Sequence, residues 1–368
     1  DNSVNSSASS YDFTLKLLRG VDTNHSVVIS PLSIRIALLM LAEGTTGQTL
    51  KQLTVVLGDL ESARRLYRVL LRDLYSAERS VRIRVANSIW IEERLRLNES
   101  YVGILKSAYD AEVRKVNFSG DPEGARRAIN AWVDEKTERL MKEILPPNSI
   151  DVRTLVVLVN ALYFKAAWLT PFYHEFEGQF RTPRGNVTVR YMKGRLTFKL
   201  YEDEELVVVA LDFNGTDVKY IIMMPKDGDV RKLIKGITGA ELRGMVDRVL
   251  SAERVDMILY MPRFSLDSGI IGLKEILEDM GIKDVFIPGR ADLRYMFGSR
   301  TCSVWVDEIY HRAIIKVDRL GVEATAATAA VIFMSLPPSL WIDRPFLFML
   351  VEPDTKEILF IGVYQGGG

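Results

Sequence analysis

The spacing of apolar and polar positions divides the chain into a helical first third and a strand-rich remainder. Residues 11–18 are amphipathic at helical spacing. Val27, Val28 and Ile29 read as a short strand, after which Ser30 and Pro31 supply an N-cap and a first-turn proline for a helix reaching Glu43. Residues 61–78 predict a long helix rich in Arg. Strands are expected over 81–91, 154–168, 187–192, 206–211, 218–224, 254–264, 304–317, 346–351 and 358–364, with helices at 123–140 and 273–280. Residues 154–164 lack regular polar alternation, the pattern of a strand covered on both faces. The last two strands flank the turn Glu352-Pro353-Asp354-Thr355-Lys356 and form a hairpin. Helices first and mostly antiparallel strands later predict an α+β fold.

One stretch departs from this patterning. No residue from Ala324 to Ile342 is charged, although 26% of the chain is. Its length fits a bilayer span, but Pro337 and Pro338 sit near its end, Thr and Ser interrupt it, and no Lys/Arg cluster flanks it. A helix is favoured by its alanines and opposed by the β-branched Thr325, Thr328, Val331 and Ile332. As a strand it places Val322, Ala324, Ala326, Thr328, Ala330 and Ile332 on one face, all able to be buried. That segment can enter a sheet without burying a charge.

The 368 residues show no Pro/Gly/Ser-rich linker and no internal repeat, so we expect a single domain over 1–368, with 1–9 as a flexible polar tail. A net charge of zero offers no field for nucleic acid or an acidic membrane, and neither is expected as a partner. The single Cys302 excludes an internal disulfide and a thiolate zinc site. The polar start suits a terminus left after a removed leader, and sequons occur at Asn24, Asn98, Asn117, Asn186 and Asn214, which together point to an extracellular or secreted protein. Arg outnumbers Lys by nearly two to one, a hint of a hot-environment source. Enzyme chemistry finds little footing. His25, His174 and His311 lie far apart without metal-ligand spacing, and there is no Gly-x-Ser-x-Gly elbow. The sequence from Gly44 to Thr49 lacks the Lys and preceding strand of a phosphate loop and reads as a connection between two helices. No catalytic residue, metal or cofactor is expected.

Four ordered segments resemble the serpins. VVISPLSIRIALLMLAEGTTGQTLKQL, from Val27, looks like that family's strand, helix, Gly-rich turn and next helix. LVNALYFKAAW, ending at Trp168, looks like its central-sheet strand. VDEIYHRAIIKVDRLGVEATAATAA resembles the strand leading into the reactive loop, and WIDRPFLFMLVEPDTKEILFIGVY resembles the C-terminal hairpin. The Arg-rich composition suits a prokaryotic or thermophilic member. The resemblance implies three β-sheets with a large central one, eight or nine helices, and an exposed reactive-centre loop over 321–342. It further implies a monomer that traps serine proteases in a covalent complex, as the cleaved loop inserts into the central sheet; loop insertion in serpins is a known switching mode. The alternative is a non-inhibitory member acting as a carrier, chaperone or binding protein.

By the same resemblance, Arg319, Gly321, Val322, Glu323, Ala324, Thr325, Ala326, Ala327 and Thr328 form the hinge. Ser30, Ser33, Asn160 and His311 form a polar cluster where the sheet opens, with Trp168 near the point where insertion begins. Read from the residues alone, these five are a helix cap, a helix hydroxyl, a buried amide, a core histidine and a core tryptophan. Arg319 stands where inhibitory members usually carry Glu, and Val322 where they carry Thr or Ser. The scissile bond follows Ser335 when counted forward from Gly321. It follows Met334 when counted back from Asp343, with Ser335 and Leu336 next in line. Either residue is apolar or small, which points to chymotrypsin-, elastase- or subtilisin-like targets rather than trypsin-like ones. Arg64, Arg65, Arg68 and Arg72 match a helix that binds glycosaminoglycan in some relatives, yet Glu61, Asp73 and Glu78 dilute the charge, so a solvated face is expected.

Overall fold

The computed structural model describes residues 2–75, 81–263, 265–298, 304–319 and 337–367, with the side chains of 2–9, 73–75 and 318 left out. Gly321 to Thr328 and Met334, Ser335 and Leu336 therefore lie outside the described residues.

The first third is helical around two strands: α1 (Asn2–Gly20), β1 (Val27–Ile29), α2 (Pro31–Ala42), α3 (Gly47–Leu57), α4 (Leu60–Tyr75), β2 (Arg82–Glu92) and α5 (Glu99–Tyr109). Then follow β3 (Glu112–Val116), α6 (Pro122–Lys136), β4 (Val156–Trp168), β5 (His174–Thr182), β6 (Gly185–Glu202), β7 (Leu206–Asn214) and β8 (Lys219–Pro225). The remainder comprises α7 (Val230–Gly236), α8 (Gly239–Ser251), β9 (Arg254–Pro262), β10 (Ser265–Asp267), β11 (Ile271–Gly272), α9 (Lys274–Asp279), α10 (Arg294–Phe297) and β12 (Glu308–Asp318). β13 (Ser339–Trp341), β14 (Phe346–Val351) and β15 (Ile358–Tyr364) close the chain. Ten α-helices are present among the described residues, against the eight or nine expected, because α9 and α10 span only six and four residues. α1 begins at Asn2, so the helix backbone runs through positions expected as a polar tail.

The strands fall into three groups, which hydrogen bonding links into one network of fifteen. β3, β2, β4, β12 and the short β10 and β11 form the central layer. β7, β8, β14, β15 and β1 form a second. β5, β6, β9 and β13 form a third, to which the long β6 also ties β7. Only two register pairs, Ala167 with Asn214 and Trp168 with Phe213, join the first group to the second.

α2 shows why the sequence folds this way. Ser30 accepts the Ser33 N–H as N-cap, Pro31 starts the first turn, and all twelve helical residues are buried. A helix apolar on every side must lie inside. It packs behind the central layer against Leu158, Leu162 and Ile309, while α6 covers the opposite face over Val157, Val159 and Tyr163. β4 is thus buried on both faces, which accounts for its unbroken apolar run.

Candidate functional site

β4 and β12 are direct neighbours and parallel, in register from Glu308 with Val157 to Asp318 with Ala167. No strand lies between them. Asn160 stands opposite His311 across this seam, and opposite Asn87 on β2. Residues paired in register share a face, so the three side chains form a row across three strands, all buried. The N-terminus of α2 meets the row. The Ser30 backbone N–H donates to His311 Nε2 at 3.1 Å, and His311 Nδ1 lies 2.7 Å from Asn160 Oδ1. Asn160 Nδ2 donates to the Ser33 carbonyl at 2.6 Å and to Asn87 Oδ1 at 2.5 Å. Ser30 Oγ donates to the Leu359 carbonyl at 2.6 Å, which ties the cluster to β15.

A backbone N–H can only donate, so Nε2 of His311 is the acceptor and Nδ1 carries the proton. That proton fixes Asn160 Oδ1 as acceptor and its amide as donor. Every group's polarity follows from one unambiguous donor at Ser30. Burial pushes the His311 pKa down to about 3, with the Asn160 contact opposing it, so the ring is neutral at physiological pH. Ser33 Oγ is buried and finds no partner among the described residues. The structure brings together four of the five expected gate residues, Ser30, Ser33, Asn160 and His311. Trp168 lies eight positions further along β4, beside Ala167, which pairs with the end of β12. Its ring stacks on Phe213 at 5.0 Å and meets Phe172 and Tyr220 edge-on.

Two polar fastenings flank the seam. At its lower end Asp307 Oδ2 accepts the N–H groups of Leu155 and Val156, at 2.8 and 3.0 Å. At the upper end Arg319 clamps the segment that follows β4. Its carbonyl accepts the Phe172 N–H at 3.1 Å, its guanidinium donates to the carbonyls of Phe172 and Tyr173, and its Nε lies 3.3 Å from Glu175. Both charged side chains are less than a third exposed. We expect Arg319→Ala to ease the parting of β4 from β12. Losing two carbonyl contacts and one ion pair removes roughly 1–2 kcal/mol from the closed state, or about five- to thirtyfold in rate. The measurement is the uptake rate of a synthetic peptide carrying residues 321–334, followed by native gel shift; an unchanged rate refutes the clamp.

Beyond the described gap, β13 pairs in parallel with β9, and Trp341 stacks on Tyr260 at 3.7 Å. The segment after Arg319 therefore leaves the central layer and returns to the third group of strands. Arg64 holds Glu43 at 2.7 Å and Arg65 lies 3.1 Å from Glu61, so two of the four α4 arginines are already paired with carboxylates.

Sequence reasoning missed Asn87 and Glu175. Asn87 carried a signal: it interrupts an apolar face made by Ile83, Val85, Ile89 and Ile91. Glu175 carried none, because its partner lies on a distant strand. Among the described residues, no three His, Cys, Asp or Glu side chains are grouped to hold a metal ion, and no helix is long and apolar enough to cross a membrane.

The family profile described as "Serpin (serine protease inhibitor)" matches residues 8–365. The chain is 32% identical to Ipis-1 of the tick Ixodes persulcatus, over 93% of each chain. It is 30% identical to a serine protease inhibitor of Cyanea capillata, covering 95% of this chain and 94% of that one. An uncharacterised serpin-like protein of Thermococcus kodakarensis is 32% identical over 95% of this chain and 83% of its own length. Among solved structures, the thermophilic serpin tengpin in its native state superposes with a TM-score of 0.86 at 26% identity, covering 98% and 93% of the two chains. Relatives of this kind are named as inhibitors, not as enzymes. From residue 8 to residue 365, with the seam, gate and C-terminal hairpin in place, the chain belongs to the serpin family.

Proposed function

We propose that this protein inhibits serine proteases as a suicide substrate. The observation that carries this reading is the seam. Two parallel strands lie side by side, and the end of one feeds directly into a segment that carries no charge from residue 324 to 342. A strand folding back from β12 into the gap between β4 and β12 runs antiparallel to both, and antiparallel pairing is slightly the more stable per residue. The closed central layer is thus one strand short of a better sheet.

In this mechanism the protease serine attacks the carbonyl carbon of Met334 or Ser335. An ester forms, the peptide C–N bond breaks, and the new amine leaves with a proton from the protease histidine. Freed at that end, the loop enters the seam from the Arg319 side, starting beside Trp168, and carries the acylated protease along. Hydrolysis of the ester would release the protease, so inhibition depends on insertion outpacing water. Exposed sequons at Asn117, Asn186 and Asn214 suit action outside the cell by a monomer. The pairing of Arg64 and Arg65 leaves little free charge for a polyanion on α4.

The competing reading is a non-inhibitory binding or carrier protein. It draws on the Arg319 clamp, which adds contacts that insertion would have to break. Incubation with chymotrypsin, elastase, subtilisin and trypsin separates the two. We expect a denaturant-resistant complex with at least one of the first three. Cleavage without complex and without a rise in thermal stability favours the carrier, and trapping of trypsin alone overturns the bait assignment.

A further inference from the structure

The polar row across the central layer does not end at Asn87. Asn87 Oδ1 is committed as acceptor by Asn160 Nδ2, which leaves the Asn87 amide as a donor with both hydrogens free. That Nδ2 is buried and has no partner among the described residues. Asn87 lines a cavity of about 450 Å³, within the roughly 300–1,000 Å³ range of small-molecule sites. The cavity sits where β3 stops short. β3 pairs with β2 only from Ser88 onward, so Val85, Ala86 and Asn87 have β4 on one side and open space on the other.

We propose that this cavity binds a small amphipathic organic acid whose carboxylate accepts from Asn87. Its walls combine an apolar surface from Val85, Val113 and the Trp132 ring with cationic groups at the mouth. Glu112 does not oppose an anion there. Burial raises its pKa, but hydrogen bonds from Lys136 and Arg114 outweigh that and hold it below the ordinary range, as an ion-paired carboxylate. The Trp132 indole N–H is occupied by the same Glu112. Lys106, on the last turn of α5, is exposed at the cavity and faces only Asp110, itself exposed, as further lining charge. Three cations against two carboxylates leave a net positive mouth above a donor with nothing to donate to. An unpaired buried donor is costly, so an acceptor placed at Asn87 recovers that loss.

Occupancy would reach the gate. An acceptor at Asn87 Nδ2 polarises the amide and strengthens the bond from Asn160, which continues to His311 and Ser30. The ligand therefore favours the closed seam. This consequence rests on the inhibitory reading, whereas binding itself does not.

The test is isothermal titration of the intact protein with hexanoate, benzoate and indole-3-acetate, together with Trp fluorescence. We expect at least one probe to bind with a Kd below about 1 mM and to raise the melting temperature of the uncleaved protein. Asn87→Ala should weaken binding at least tenfold and Lys106→Gln severalfold. Lys106 is exposed, so its variant reports even if Asn87→Ala fails to fold. Absence of binding by all three probes, or binding that Lys106→Gln and Asn87→Ala leave unchanged, overturns the site. Binding that leaves protease trapping unaffected overturns the coupling to the gate and retains the site.

Discussion

Ala324→Glu is expected to convert the protein from an inhibitor into a substrate. An inserted strand between β4 and β12 meets apolar residues on both faces: Leu158, Leu162 and Ile315 toward α2, and Val159, Tyr163 and Ile314 toward α6. Neither face offers a cation at the seam's centre, where the polar group available is the neutral, fully engaged His311–Asn160 pair. A carboxylate forced into such a layer costs several kcal/mol, and a barrier higher by ~4 kcal/mol slows a step about a thousandfold. Position 324 is near the start of the segment, so the charge would stop insertion before the protease moves far. Deacylation then wins, and the loop is cut without trapping. The readout is the yield of covalent complex on a denaturing gel, expected to fall more than tenfold while cleavage continues. Ala324→Ser, equally small and uncharged, should retain trapping. Full inhibition by Ala324→Glu would show that trapping does not need insertion at this seam.

The parts of the fold that were legible in the sequence share a local cause. β4, β14 and β15 announce themselves by unbroken apolar runs because each is buried on both faces. α2 is marked at its start by Ser30-Pro31 and proves fully buried. α8 went unread although Thr238 and Glu241 form a reciprocal capping box, since its mixed composition hides the four buried residues that hold it. β5 was missed because its alternation of Phe176, Gly178 and Phe180 is diluted by a glycine within reach of Tyr191. The gate was legible only through family resemblance. Ser30, Asn160 and His311 are individually ordinary, and their meeting depends on the register of β12 against β4, which no local pattern encodes. The same holds for the Arg319 clamp, whose unusual residue was visible but whose partner Glu175 was not.

His311 makes the closed seam sensitive to acid. Its folded pKa of about 3 lies below the ordinary value of 6.5, because burial excludes the charged ring. Between those values the unfolded chain holds a proton that the folded chain does not, so stability rises with pH across the window. The contribution is complete above about pH 6.5, and it is lost as pH falls toward 3. One pKa unit corresponds to about 1.4 kcal/mol, which gives roughly 2–3 kcal/mol between pH 7.5 and 4.5. Protonation at Nε2 would also remove the acceptor that the Ser30 N–H needs, unfastening α2 from the row. Asp307 and Glu308 act in the opposite sense. Burial raises both carboxyls, so the folded chain takes up protons more readily and these groups gain stability as pH falls. A comparison with His311→Gln isolates the histidine, since the carboxyls are common to both proteins. The variant can still accept from Ser30 but does not titrate. We expect it to be less stable than the parent at pH 7.5, through poorer geometry, and to lose about 2–3 kcal/mol less on moving to pH 4.5. Urea unfolding followed by Trp fluorescence at the two pH values measures that difference. Equal losses in parent and variant would mean that His311 is already charged in the fold, and that the row of donors running from Ser30 to Asn87 has the opposite polarity.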